Sequence, residues 1–457
     1  MTIPTYLGLQ TALSGLEAAQ AAIDTTGQNI SNASTPGYTE ERVNLGESGP
    51  LTIPSLSGNN GAGSQLGTGV TVDQITRVRN TFLDGQYRSQ NSQTSADNNN
   101  VTYLTQAQSA LDEPTSSGLS SVLNTFFSDF NTLSTDPTSQ GAVQTVIDDG
   151  QTVASSLNTL AGQITGLQSQ ATQQYDTLTN TSNGAVATDA NEIAQLNVQI
   201  ANAQAGGIDA NTLEDQRDNA IDDLSQYSNV YVTTQSNGMV NVSFGNAATA
   251  AQNGTADATP LVDGGTVNLS QNLSDANLSG SSGTLGSLLG LYDPTTGDGT
   301  LTNYLNTLNG VASQLVSTVN TAISTADSAG ATAPAFFDPT GTTAATISVN
   351  SSLTAASTPY TAAEATAVSS LSGGSAQQSY DAFVTQVGGD VSSAQTAQTT
   401  AQSVLTAISN QRQSVSGVSL DEEMTNLIQY QQAYQASARV MSTIDDTFSS
   451  LISMVSG

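Results

Sequence analysis

Residues 420–455 read LDEEMTNLIQYQQAYQASARVMSTIDDTFSSLISMV. Within this stretch Leu420, Met424, Leu427, Gln431, Tyr434, Ala438, Met441, Asp445, Phe448, Ile452 and Val455 follow one another in steps of four and three, and nine of the eleven are apolar. That alternation marks a helix that lays one stripe against another helix. Ser419 stands at the N-cap position, and Asp421, Glu422 and Glu423 put negative charge on the first turn, where the helix dipole favours it. The other end of the chain repeats the pattern at Leu9, Leu13, Leu16, Gln20, Ile23, Gly27 and Ile30, before Asn32, Ser34, Pro36 and Gly37 supply turn chemistry. The two ends are therefore expected to pair as helices. Polar residues in such a seam, here Gln20, Gln431 and Asp445, cost stability and fix register. Seams holding Met, Ala and Gln rather than continuous Leu and Ile predict helices that are marginal alone and ordered by partners. An ordinary bundle whose first and last helices pack as core would give the same pattern.

Composition narrows the function classes. The 457 residues carry 38 acidic and 7 basic side chains, a net charge of −31, with no His, Cys or Trp. All seven cations are Arg. Zinc fingers, haem ligation through His, thiolate nucleophiles and Ser-His-Asp triads are excluded by these absences. Seven Arg scattered along the chain predict no phosphate- or nucleic-acid-binding patch. No stretch approaches the roughly 18 apolar residues of a membrane span. Met1 to Gln20 has neither Lys nor Arg and no continuous apolar run, so no cleaved secretory leader is expected there. Aromatic residues are only 5% of the chain, which points to an elongated, thinly cored body.

The intervening sequence is expected to be mainly α. We divide the chain into an N-terminal helix of an inner domain (1–45), an extended linking segment (46–85), and a helical middle domain that starts at 86–230. A small β-hairpin and loop insertion (231–285) follows, signalled by Val230 and Val232, the alternation Met239 to Phe244, and Asn237-Gly238 between them. The middle domain returns over 286–335, a low-complexity stretch of small residues fills 336–375, the last middle helix runs over 376–415, and the C-terminal helix over 416–457. Apolar residues recur at helical spacing from Leu119 to Leu133, Val143 to Leu178, and Leu301 to Ile323.

Motifs for chemistry are weak. Asp293-Pro-Thr-Thr-Gly-Asp298-Gly lacks the alternating acids and closing Glu of a calcium loop and reads as a turn. Gly61-Ala-Gly63-Ser-Gln-Leu-Gly67 misses the dinucleotide spacing and reads as a loop. Asp148-Asp149 and Asp222-Asp223 are read as solvated helix faces, because adjacent carboxylates on a helix diverge. No catalytic, cofactor-binding or metal residue is assigned, and no cofactor is expected.

Ser14-Gly-Leu-Glu-Ala-Ala-Gln20, Asn29-Ile-Ser-Asn32 and Pro36-Gly-Tyr38 resemble the N-terminal signature of bacterial flagellar axial proteins. Ser414-Val-Ser-Gly-Val-Ser-Leu-Asp-Glu-Glu-Met424 and Tyr430-Gln-Gln-Ala-Tyr-Gln-Ala-Ser-Ala438 resemble the hook-associated, hook–filament junction members of that family. Internal segments extend the likeness in order: Gly69-Val-Thr-Val72 with Arg77 and Phe82-Leu83, Glu113-Pro114, Gly118-Leu119-Ser120, Phe126-Phe127, Leu213 with Asp215-Gln-Arg-Asp218, Gly283 to Leu289, and Phe336-Phe337-Asp338. Many members insert a sizeable β domain after the last of these. Here only about forty small residues precede Tyr380, so the segment 336–375 is expected to be the remnant of that outer domain.

The resemblance implies an extracellular structural subunit, exported through the flagellar type III apparatus. It would form a ring with copies of itself, between the hook protein and the second hook–filament junction protein. A cytoplasmic export chaperone would bind its C-terminal region; neither nucleic acid nor membrane is an implied partner. Leu9, Leu13, Leu16, Ile23 and Ile30, with Leu420, Met424, Leu427, Tyr434, Met441 and Phe448, are the residues expected to drive assembly. A flagellin-like filament subunit, another hook or rod protein, or an enzyme on an axial scaffold are the competing readings.

Overall fold

A computed structural model of the chain describes residues 3–53, 64–253, 259–293, 297–327, 333–357 and 359–456. It is mainly α, as the periodicity requires. Helix α1 (Ile3–Asn32) leads into a ribbon in which β1 (Glu41–Glu47) pairs antiparallel with β4 (Val70–Arg77), from Glu41 opposite Arg77 to Glu47 opposite Val70, with one irregularity after Asn44. The ribbon is prolonged by β2 (Leu51–Ile53) against β3 (Ser64–Leu66), so the described part of the Gly- and Ser-rich linking segment is paired backbone rather than open loop. Gly61 to Gly63 lie outside the described residues.

Helix α2 (Thr81–Leu111) opens on Asn80, whose side-chain oxygen accepts from the backbone N–H groups of Phe82 (3.0 Å) and Leu83 (3.3 Å). It is followed by α3 (Leu119–Thr135), α4 (Gln140–Leu178), α5 (Ala185–Ala205) and α6 (Asn211–Leu224). The β insertion is a four-stranded antiparallel sheet in sequential order: β5 (Val230–Thr234), β6 (Val240–Phe244), β7 (Val262–Asp263) and β8 (Thr266–Val267), with α7 (Asn246–Gln252) between β6 and β7. Gly238 takes a φ of 78° in the β5–β6 turn, the conformation for which Asn-Gly is suited. Short helices α8 (Leu269–Asn272) and α9 (Asp275–Leu278) lead to α10 (Gly283–Tyr292) and α11 (Thr300–Ala326). An irregular strap with a single 3-10 turn at Ala355–Ser357 precedes α12 (Ala362–Ser369), α13 (Ser375–Ser416) and α14 (Leu420–Ser456). Part of the Asp293–Gly299 turn, residues 294–296, lies outside the described residues.

The long helices α2, α4, α11 and α13 pack lengthwise, and α4 alone, 39 residues, spans about 58 Å. Its apolar residues Val143, Val146, Val153, Leu157, Leu160, Ile164 and Leu167 are all buried. The broad face of α3 buries Leu119, Leu123, Phe126, Phe127, Phe130 and Leu133. Phe126, Phe130, Phe336 and Phe337 form one cluster, with ring centroids 5.0–5.9 Å apart. Gly150 of α4 is required there: a Cβ on it would lie 2.4 Å from Phe336 Cε1.

The strap differs from what its small-residue composition suggests. Phe336, Phe337, Ala344, Ile347 and Tyr360 are buried in the core of the rod, and α12 packs on α3. Irregular backbone can be buried only if its polar groups find partners. Asparagines on the helices provide them. Asn320 Oδ1 accepts from Phe336 N (2.9 Å) while its Nδ2 donates to Phe337 O (2.9 Å). Asn158 Nδ2 donates to Ala344 O (2.9 Å), and Asn309 Oδ1 accepts from Ala344 N (2.9 Å).

Candidate assembly interface and the joint behind it

The terminal helices pair, and they do so antiparallel. A Cβ on Gly8 would lie 3.4 Å from Ile444 Cδ1, one on Gly15 would lie 3.0 Å from Ser437 Oγ, and Glu423 meets Thr26 and Asn29. The stripe that α1 turns to α14 is thus Gly8, Ala12, Gly15, Ala19, Ala22, Thr26 and Asn29, again in steps of four and three. On α14 the facing stripe is Glu423, Leu427, Tyr430, Tyr434, Ser437, Met441, Ile444 and Phe448, with Glu423 buried and the rest half-buried. Small side chains on one helix admit large ones from the other.

This corrects the expected seam. Leu427, Tyr434, Met441 and Phe448 lie in it. Gln431 and Asp445 do not; Tyr430 and Ile444 occupy those levels, and Gln20, Gln431 and Asp445 are exposed. These polar residues therefore set no register within the pair. Leu9, Leu16, Ile23 and Ile30 are half-buried beside the α1 stripe. Leu13 (45% exposed), Leu420 (52%) and Met424 (50%) face outward, joined by Ile428 (53%) and Val440 (51%), which the heptad reading passed over. A run of exposed large apolar residues of this kind marks a surface that another chain covers.

A second face of α1 is held by the ribbon. Asn29, 1% exposed, acts as a backbone mimic: its Nδ2 donates to Glu41 O (2.9 Å) and its Oδ1 accepts from Glu41 N (3.0 Å) and Tyr38 Oη–H (2.8 Å). Gly37 is needed between these two residues. Its φ is 77°, and a Cβ there would fall 2.0 Å from Asn219 Nδ2.

Behind the pair lies a joint that sequence reasoning missed. Arg77 at the end of β4, Arg79 just beyond it, Arg88 on α2 and Arg412 on α13 converge on Asp84, Glu214, Asp215, Asp218 and Asp222. Arg77 reaches Glu214 (2.7 Å), Asp215 (2.7 Å) and Asp218 (2.9 Å). Arg79 donates through Nε to Asp84 Oδ2 (3.1 Å) and through Nη1 to Asp218. Arg88 Nε lies 2.6 Å from Asp222 Oδ1, and Arg412 joins Asp84 (2.8 Å) to Asp222 (2.6 Å). Asp215 also accepts from Thr39 N (3.1 Å) and Oγ1 (2.6 Å), tying the turn after α1 to α6.

Burial works to raise the Asp218 carboxyl, yet Arg79, Arg88 and Arg77 together hold it at about 2. The Arg that are scattered in sequence are therefore gathered in space, but internally, against carboxylates. Asp222 is no solvated face. Nor is Asp149, whose carboxyl is pushed up to about 7 by burial and by its hydrogen bond with Asp129. Each side leaves a local trace, Arg77, Arg79 and Arg88 within twelve residues and Glu214, Asp218 and Asp222 in steps of four, but nothing in the sequence shows that the two sides meet.

Family models give the class first. Residues 9–39 match the flagella basal body rod protein family, and residues 409–454 match the C-terminal region of the flagellar basal body rod FlgEFG proteins, so both terminal helices are of the flagellar axial type. Residues 104–337, half of the chain, match the helical domain of the flagellar hook-associated protein FlgK, and the chain belongs to that family. Flagellar hook-associated protein 1 of Bacillus subtilis is 36% identical over 248 residues, 54% of this chain and 47% of the relative. Its counterpart in Salmonella typhimurium is 30% identical over 251 residues, 54% of this chain and 42% of the relative. The chain spans about half the length of the curated relatives it matches. The flagellar hook junction protein FlgK from Burkholderia pseudomallei is a structural match with a TM-score of 0.42 and 24% identity, covering 52% of this chain and 44% of that one.

Proposed function

We propose that this chain is a structural subunit of the bacterial flagellum that forms the junction between hook and filament. The observation that carries this reading is the pairing of flagellar axial-type terminal helices that leave Leu13, Leu420, Met424 and Ile428 exposed, on a chain of the FlgK family. Copies of the chain form a ring through these faces, with the hook protein on one side and the second junction protein on the other. The subunit reaches this place outside the cell through the flagellar type III apparatus, escorted by a chaperone on its C-terminal region. Its role is mechanical: the four Arg and five acids gathered at the joint neutralise one another and hold helices together. No helix among the described residues is long and apolar enough to cross a membrane.

The assembly residues Leu9, Leu13, Leu16, Ile23, Ile30, Leu420, Met424, Leu427, Tyr434, Met441 and Phe448 divide between two tasks in this reading. Leu427, Tyr434, Met441 and Phe448 hold α14 to α1, with Leu9, Leu16, Ile23 and Ile30 half-buried beside that seam, and the outward Leu13, Leu420 and Met424 meet neighbours. Copies carrying −31 each repel one another, and apolar contact with salt screening offsets that repulsion. Gold-labelled chain viewed in isolated hook–basal bodies tests the reading. Label at the distal end of the hook is the expected result; label along the filament would favour a filament subunit instead.

A further inference from the structure

We infer that Arg439 is a recognition residue between copies of this chain: its guanidinium pairs with the outward carboxylates Glu17 and Asp24 on α1 of a second copy. The inference rests on the proposed assembly role and names a contact that role would use.

The distribution of the seven Arg carries it. Arg42, Arg77, Arg79, Arg88 and Arg412 each have a carboxylate partner. Arg217 donates to Asn197 Oδ1 (3.2 Å) and Gly238 O (2.8 Å). Arg439 is exposed, and among the described residues it is the one cation without a side-chain or backbone acceptor for its guanidinium inside the chain. Arg42 is also exposed but is held by Glu40, so in a chain of net charge −31 Arg439 is the exposed cation left to pair with another chain.

Its position selects the occupant. Arg439 lies two residues from Met441, about 160° round the helix from the stripe that faces α1. The same outer face carries Ile428, Gln432 and Ala436, all exposed, and the small Ala436 lets another helix approach. On α1 the outward stripe is Leu13, Glu17, Gln20 and Asp24, also all exposed, with Gln20 Nε2 donating to Asp24 Oδ1 at 2.9 Å. The outer face of α14 also carries the exposed acids Asp421 and Asp446, so the complementarity is local: among the described residues Arg439 is the one cation on either outer face, and Glu17 and Asp24 beside Leu13 are the outward anions of α1. Copies repeating head to tail in a ring bring different faces together, which places α14 of one against α1 of the next. A charge-assisted Arg–carboxylate contact there gives copy-to-copy register that apolar contact alone lacks.

The absence of Cys makes the test clean, since each introduced thiol is the only one in its chain. The whole chain carrying Arg439→Cys is co-expressed with Glu17→Cys or with Asp24→Cys, and isolated flagella are treated with a short bismaleimide, because the reach of an Arg–carboxylate pair exceeds what a disulfide can bridge. A cross-linked dimer with at least one of the two partners is expected. Arg439→Glu should reduce incorporation roughly tenfold while the melting of the rod is unchanged, and adding Glu17→Arg or Asp24→Arg should restore it. Normal incorporation of Arg439→Glu, or assembled thiol variants that give no cross-linked dimer, would overturn the inference and leave the proposed function standing. A parent chain absent from flagella altogether would overturn both.

Discussion

Arg412 Nη1 of α13 lies 2.6 Å from Asp222 Oδ2 of α6, closing an ion pair between residues 190 apart in the chain. The same guanidinium reaches Asp84 at the start of α2 and stacks over the Tyr87 ring, 4.8 Å from its centroid. Three helices are thereby fixed to one another just before the chain turns at Gly417 into α14. The joint determines how the terminal pair is presented by the rod.

Removing one member of this network strands its partners. Arg412→Ala leaves Asp84 and Asp222 short of a counter-charge in a largely buried place and should cost about 3 kcal/mol, read as a lower urea midpoint of the full chain. The same network gives an acid limb. Asp218, held at about 2 against an ordinary 3.8, contributes stability that is complete above pH 4 and lost as the pH falls through 2. Asp218→Asn should flatten that limb in a pH series of melting curves.

Asp149 behaves in the opposite sense. Its carboxyl is raised to about 7, so the stability it brings when protonated is present below its unfolded value near 3.8 and lost as the pH rises through 7. Asp149→Asn should therefore melt above the parent at pH 8, with the difference closing toward pH 4. Partial exposure screens the pair and holds the gap to about 1 kcal/mol.

Helix propensity and packing disagree at Gly150. In an open helix Gly→Ala gains up to about 1 kcal/mol. At Gly150 the new Cβ would meet the Phe336 ring, so Gly150→Ala should destabilise by about 2 kcal/mol. Gly162, on the same helix with nothing within 4 Å, is the control, and Gly162→Ala should be neutral or stabilising. Equal effects at both sites would mean that Phe336 does not pack on α4 as described.

The outward face of α14 should be dispensable for folding. Replacing Leu420, Met424 and Ile428 together by Ala removes side chains that are already half exposed and keeps helix propensity, so stability should fall by no more than about 1.5 kcal/mol, about 0.5 kcal/mol for each. Incorporation into flagella should be lost. A melting temperature that dropped sharply would instead place these residues in an internal core.

The residues also show why some of the architecture was legible in sequence and some was not. Periodicity over Leu119–Leu133 and Val143–Leu167 gave the rod, because Phe and Leu at helical spacing have few other uses. Asn237-Gly238 gave the β5–β6 turn. On α14 the heptad pattern places Leu427, Tyr434, Met441 and Phe448 in the seam and misses its alternate levels by one residue, because the α1 stripe is largely Gly and Ala, which count for little in an apolar pattern yet allow the closest approach. Tyr430 and Ile444 are in that seam for a reason that lies on the other helix. The strap from Phe336 to Tyr360 read as low complexity, since its backbone is satisfied by Asn158, Asn309 and Asn320, none of which is near it in sequence. The Arg joint is the extreme case: no two of its helices are adjacent in the chain.

In the proposed function the terminal pair joins this subunit to a flagellum at the end of the hook. The most direct measurement compares labelled full-length chain with a chain ending at Val418, both produced in cells lacking their own copy, by electron microscopy of isolated hook–basal bodies. Label at the distal hook end is expected for the full-length chain, and none there for the truncated chain, whose rod still melts cooperatively. Truncated chain found at the hook tip as often as the full-length one would contradict the proposed function.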